Sequence, residues 1–212
     1  MAVGLTEYAT GKYGWLKNRK PRPPLNQLIL SIFYHVTSVR RATRALNELK
    51  RAFVDWNEVR VSHPAEVAGV LSSAPWAMEG AERLVWLLRE LYEVHNRTNL
   101  DFLAELTPAQ ARTCLKRLST VPRDVADEVL LLSLDVPVLP CSAAAARMSH
   151  RLGLLPDDRA TVKNQRALAK AFEDDAYAPV HLFFCDYADK LCLPEEPLCE
   201  RCPLGRMCVT RR

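Results

Sequence analysis

Four cysteines near the end of the chain, Cys192, Cys199, Cys202 and Cys208, follow the spacing C-x6-C-x2-C-x5-C. No other feature constrains the fold as strongly, because four thiolates converging on one centre close a tetrahedral metal site or hold a cube of four irons. Of seven cysteines in 212 residues, five lie in the last 28, with Cys185 the fifth; Cys114 and Cys141 stand alone. In a reducing compartment such clustering points to a metal rather than to disulfides. Zinc ribbons and fingers pair two C-x2-C knuckles or add histidines across a longer spacer. Here there is one knuckle, with gaps of six and five residues beside it and no histidine between the cysteines. Soft thiolates suit both metals, so spacing leaves zinc open while leaning toward an iron–sulfur cluster.

Around this anchor the hydrophobic pattern is helical. Leu25, Leu28, Ile29, Ile32 and Phe33 form one stripe, and Leu84, Leu87, Leu88 and Leu91 a second. Val125, Val129 and Leu132 form a third; Val180, Phe183, Phe184, Tyr187 and Leu191 form a fourth. Spacings of three, four and seven put each set on one helix face. Breaks are read at Pro21 to Pro24, Ser62 to Pro64, Ser72 to Pro75, Asn96 to Asn99, Ser119 to Pro122, Pro137 to Ser142 and Ala178-Pro179. Thr107 before Pro108, and Ser142 before the Ala143 to Ala146 run, read as N-caps. Strand-like alternation is almost absent, so an all-α chain of about ten short helices is expected.

The net charge of +4 conceals a division. Between residues 8 and 47 lie Lys12, Lys17, Arg19, Lys20, Arg22, Arg40, Arg41 and Arg44 without one acid, which leaves the remainder of the chain at −4. A segregated basic run is the footprint of a polyanion partner, although many globular proteins have such a run without one. No apolar stretch reaches the roughly 18 residues of a membrane span, and no secretory signal opens the chain. A cytoplasmic protein is expected, nucleoid-associated in a prokaryote.

The C-x6-C-x2-C-x5-C ending of a helical chain of this length resembles endonuclease III and its relatives in the helix-hairpin-helix base-excision DNA glycosylase superfamily. Three other stretches carry the resemblance. His35-Val36-Thr37-Ser38-Val39-Arg40-Arg41-Ala42-Thr43-Arg44-Ala45-Leu46 is similar to the family's Q-N-T-S-W-K-N-V-E-K-A-L. Leu118-Ser119-Thr120-Val121-Pro122-Arg123-Asp124-Val125-Ala126 stands where the hairpin L-P-G-V-G-R-K-T-A is expected. Pro140-Cys141-Ser142-Ala143-Ala144-Ala145-Ala146-Arg147 stands where A-V-D-T-H-x-x-R is expected. With Tyr177 to Cys208 added, the resemblance runs from about residue 22 to the end.

It implies two helical domains flanking a DNA-binding groove: a six-helix barrel over 22–137, with a degenerate helix-hairpin-helix near 110–134, and a cluster domain from 1–21 and 138–212. It also implies a [4Fe–4S] cluster on Cys192, Cys199, Cys202 and Cys208, duplex or damaged DNA as partner, and a monomer. The DNA-contact positions it assigns are His35, Thr37, Ser38, Arg40, Thr120, Pro122, Arg123 and Arg147, with His35 at the wedge position. In the family the hairpin glycines let backbone N–H groups approach a phosphate. Thr120 and Pro122 replace them, and Pro122 removes one donor outright.

The family's chemistry rests on a lysine at the start of the second hairpin helix, which forms a Schiff base with the sugar, and on an aspartate that stabilises the cationic transition state. Here those positions hold Asp124 and Ser142. A carboxylate cannot form an imine, and a neutral hydroxyl cannot balance an oxocarbenium charge. The bifunctional glycosylase/lyase reaction is therefore expected to be lost or altered. Two alternatives stay open at this point: a monofunctional glycosylase that uses Asp124, and a redox or protein-interaction module that retains the cluster.

Overall fold

The computed structural model describes residues 1–18, 20–71 and 75–211. Arg19 of the basic run, the Ser72 to Ala74 part of one expected break, and the last residue, Arg212, lie outside the described residues. Among the described residues there are eleven α-helices and no strand. They are α1 (Ala2–Tyr13), α2 (Pro24–Tyr34), α3 (Val39–Ala52), α4 (Trp56–Val61), α5 (Pro64–Val70), α6 (Ala77–His95), α7 (Pro108–Leu115), α8 (Arg123–Ser133), α9 (Ala143–Arg151), α10 (Val162–Ala169) and α11 (Tyr177–Tyr187). The chain divides into two compact units, residues 21–134 and residues 1–20 with 135–212.

In the unit 21–134, α2 is the central element, with every residue from Pro24 to Tyr34 buried. It packs against α8, α3 and α6. A helix buried all round must satisfy its polar side chains internally. Asn26 Oδ1 accepts from Trp56 Nε1 at 3.0 Å, while Gln27 Nε2 and the Ser31 hydroxyl donate to Glu128 Oε1 at 3.1 and 2.7 Å. The stripes around Leu28, Leu84 and Val129 supply the apolar core, with Leu28, Leu84, Leu87, Leu88, Leu91 and Val129 all fully buried. Ser62, His63 and Pro64 split α4 from α5: His63 caps α5, and its Pro64 occupies the first helical turn. Counting that pair as one broken helix, the described residues of the unit hold six α-helical segments. Asn96 ends α6 in the left-handed conformation at φ 51°, a role that asparagine tolerates.

In the unit formed by 1–20 and 135–212, α1 lies on α11. Leu5, Ala9 and Tyr13 bury one face of α1, and Tyr8 meets Phe183 and Tyr187 edge-on at 5.8 and 6.0 Å between ring centres. The Tyr8 and Tyr187 hydroxyls bond at 2.8 Å, and Tyr13 donates to Asp186. The helix expected to break at Ala178-Pro179 instead begins at Tyr177 and runs through Pro179, which sits in the first turn, where no intrahelical N–H bond is lost. Leu191, expected on that stripe, falls in the turn beyond its end.

Candidate cluster site and nucleic-acid interface

The four C-terminal cysteines line one cavity of about 790 Å³, together with Arg151 and Gly205. All four are partly buried and none is in a disulfide. Two arginines of α9, one turn apart, position the strand of chain that brings in the first. Arg147 donates to the carbonyls of Cys192 and Ala188 at 3.0 and 3.1 Å and pairs with Asp189 at 3.5 Å. Arg151 donates to the Leu193 carbonyl at 2.5 Å and to that of Pro194, and reaches Cys192 Sγ at 3.5 Å. Its own carbonyl oxygen lies 3.4 Å from Cys208 Sγ and accepts from the Thr210 hydroxyl at 3.0 Å, tying the last cysteine to the same helix. Between the middle two cysteines and the last, the chain turns at Gly205. A Cβ there would stand 2.7 Å from the Cys199 carbonyl oxygen and 3.1 Å from that of Cys202, so only glycine fits the turn.

The donor set suits a cationic centre. Burial pushes the Cys202 thiol up, and the thiolates of Cys192, Cys208 and Cys199 push it further, against one backbone N–H from Leu204. Four mutually repelling thiolates in a half-buried pocket ionise together only around a metal.

In the other unit, α7 and α8 form the hairpin, joined by residues 116–122. Thr107 caps α7 with its hydroxyl 3.4 Å from Gln110 N, and Gln110 returns the contact to the Thr107 N–H at 3.0 Å. The buried Asp127 of α8 binds Arg112 of α7 at 2.5 Å, with Arg123 at 3.7 Å, which ties the two helices together about one turn from their connecting loop. Pro122 is the N-cap of α8 and, having no side-chain acceptor, caps nothing with its side chain. Asp124 lies in the first turn of α8, where a negative charge complements the helix dipole. Ser142, in the other unit, caps α9 by accepting from Ala145 N at 3.1 Å.

The turn itself is engaged by a residue that sequence reading passed over. Glu90 of α6 accepts from the Ser119 N–H, from the Thr120 N–H at 3.1 Å and from the Thr120 hydroxyl at 2.6 Å. Burial alone would raise the Glu90 carboxyl, but the bonds from Thr120 and Ser119 outweigh it and hold it below its ordinary value. Thirty residues separate these partners, so no local motif announces the contact.

The remaining positions scatter around the same unit. His35 is exposed at the C-terminal end of α2, Thr37 is buried, and Ser38 caps α3 by accepting from Arg41 N at 3.4 Å. His35, Thr120 and Pro122 share a mainly apolar cavity of about 500 Å³ with Trp86, whose side chain is 63% exposed. Arg40 is exposed on α3. The basic run does not act as one block. Lys12 pairs with Asp186 at 3.4 Å and Lys17 with Asp175 at 2.9 Å in one unit, and Arg44 pairs with Glu48 at 3.6 Å in the other. No helix among the described residues is long and apolar enough to cross a membrane.

No protein-family model matches the chain. It is 26% identical over 192 residues to Endonuclease III of Thermotoga maritima, a match covering 91% of this chain and 85% of that protein. Among solved structures, a non-covalent complex of Endonuclease III with DNA superposes with a TM-score of 0.61 at 20% identity, over 89% of this chain and 84% of the other. A thermostable thymine-DNA glycosylase superposes with a TM-score of 0.65 at 14% identity, over 99% and 94%. Over nine-tenths of its length the chain is thus similar in sequence to Endonuclease III, and its all-helical fold is that of the Endonuclease III and DNA glycosylase structures.

Proposed function

We propose that this chain is a DNA-repair protein that binds duplex or damaged DNA, carries a [4Fe–4S] cluster on Cys192, Cys199, Cys202 and Cys208, and does not run the bifunctional glycosylase/lyase reaction. The observation that carries the last point is the chemistry of two residues. Asp124, at the start of the second hairpin helix, offers a carboxylate where an imine needs an amine. Ser142 offers a neutral hydroxyl already engaged as a helix cap. Loss of a carboxylate beside a developing cation forgoes several kcal/mol, on the order of 10² to 10⁴ in rate. The four thiolates would hold the cluster, whose contribution there is a charged covalent staple that fixes residues 192–208. Arg147 and Arg151 orient its first ligand. DNA reaches the protein through exposed basic side chains, Arg40 and Arg123 among them.

Protein purified without oxygen is expected to be brown and to contain about four irons per chain. A colourless protein with one zinc overturns the cluster assignment. Duplexes bearing oxidised, deaminated, alkylated or mismatched bases, incubated with this protein and then treated with alkali, are expected to yield no cleavage. A cleavage product that disappears in Asp124→Asn would instead establish a monofunctional glycosylase using Asp124.

A further inference from the structure

We propose that the Glu90 carboxylate is the resident anion of the hairpin turn: it holds the N–H donors that a DNA phosphate would need, so phosphate reaches this turn only by displacing it. The inference rests on the reading of the chain as a DNA binder, but its geometric basis is independent. Two successive backbone N–H groups, of Ser119 and Thr120, and the Thr120 hydroxyl converge on one carboxylate. A turn whose backbone donors converge in this way is an anion seat whatever fills it. Here the anion comes from α6 of the same unit.

Two consequences follow from the chemistry. A carboxylate has only acceptor sites, so it cannot bridge to a phosphate, and a second negative charge brought into the turn is repelled. Pro122 already lacks a donor, so the turn has no spare N–H at that position to offer in exchange. The hairpin is thereby converted from a phosphate clamp into a self-closed structural turn. Specificity for the DNA backbone moves to side chains outside it.

The test uses the full-length, cluster-loaded protein labelled with ¹⁵N, and inorganic phosphate as the probe. In the wild type the amide resonances of Ser119 and Thr120 are expected to stay in place as phosphate is added. In Glu90→Gln, which keeps the side chain's size but not its charge, both are expected to shift saturably. Thr120→Val removes the hydroxyl bond, keeps both N–H groups and leaves Glu90 less firmly held, so an intermediate response is expected; it serves equally if Glu90→Gln does not fold. Wild-type amides that respond as strongly as those of the variant, or folded variants that do not respond, overturn the proposal.

A duplex titration runs beside it. If Glu90→Gln opens the seat, log K falls more steeply with log salt than in the wild type, by about 0.9 for one added phosphate contact. A variant that takes phosphate in a protein that binds no duplex contradicts the DNA reading and leaves the seat standing. A duplex-binding protein with a silent variant does the reverse.

Discussion

At the scale of single residues, Ser142 shows how one position can be legible in sequence and still change meaning in the structure. Its role as a cap follows from a hydroxyl residue placed before an alanine run, and the bond to Ala145 N fulfils it. Ser142→Ala is expected to lower stability by about 1 kcal/mol in urea unfolding, and Ser142→Asp, an equally good cap, by nothing measurable. An unaffected Ala variant contradicts the cap. Gly205 was invisible to the sequence reading, because the need for glycine arises from carbonyls of Cys199 and Cys202 that fold back on it. Gly205→Ala is expected to lower the iron content and visible absorption of the purified protein while the helical circular dichroism persists. Full iron loading would show that the turn relaxes without cost to the site. Glu90 was missed for the same reason: its partners lie in a turn about thirty residues further along the chain, and a glutamate on a helix surface carries no signal by itself.

At the scale of elements, the helices followed from periodicity and punctuation, and the errors fell at proline. Thr107-Pro108 begins α7 as read, whereas Pro179 belongs to the first turn of α11 instead of preceding it. A proline looks the same in sequence whether it stops a helix or starts one. The hairpin illustrates what packing adds to the elements. Arg112 and Asp127 hold α7 to α8, and Glu90 holds the intervening turn. Because the folded-state value of Glu90 is depressed, its stabilisation is complete above the ordinary value of 4.5 and drains away as pH falls through the lower folded value. The gap in urea midpoint between the wild type and Glu90→Gln is therefore expected to be constant near neutral pH and to narrow on acidification below 4.5. A gap that persists unchanged in acid removes the carboxylate from this role. The convergence of the four C-terminal cysteines on one cavity was legible in their spacing, but the anchoring of their loop by Arg147 and Arg151 was not. The resemblance assigned Arg147 to DNA and nothing marked Arg151, whereas the structure turns both guanidinium groups onto the loop's own carbonyls.

For the whole molecule, the chain's two units divide the expected tasks. Cys192, Cys199, Cys202 and Cys208, with α9 and α11, belong to one, and the hairpin, His35 and Arg40 to the other. The basic run that suggested a polyanion is split at the boundary near residue 20, and several of its charges are paired within their own unit. Net charge is accordingly a poor guide, and the exposed arginines matter individually. Removal of the metal is expected to speed amide exchange in residues 188–211 while leaving 21–134 protected, because the thiolate site lies wholly within the other unit. Uniform deprotection would show that the cluster supports the entire fold. DNA binding without imine chemistry is best measured on a duplex carrying one abasic site, with binding followed across salt and a parallel sample treated with borohydride. Affinity that falls steeply with salt, with no covalent adduct and no strand cleavage, is the result expected. A borohydride-trapped adduct, or the absence of salt-dependent binding, contradicts the account.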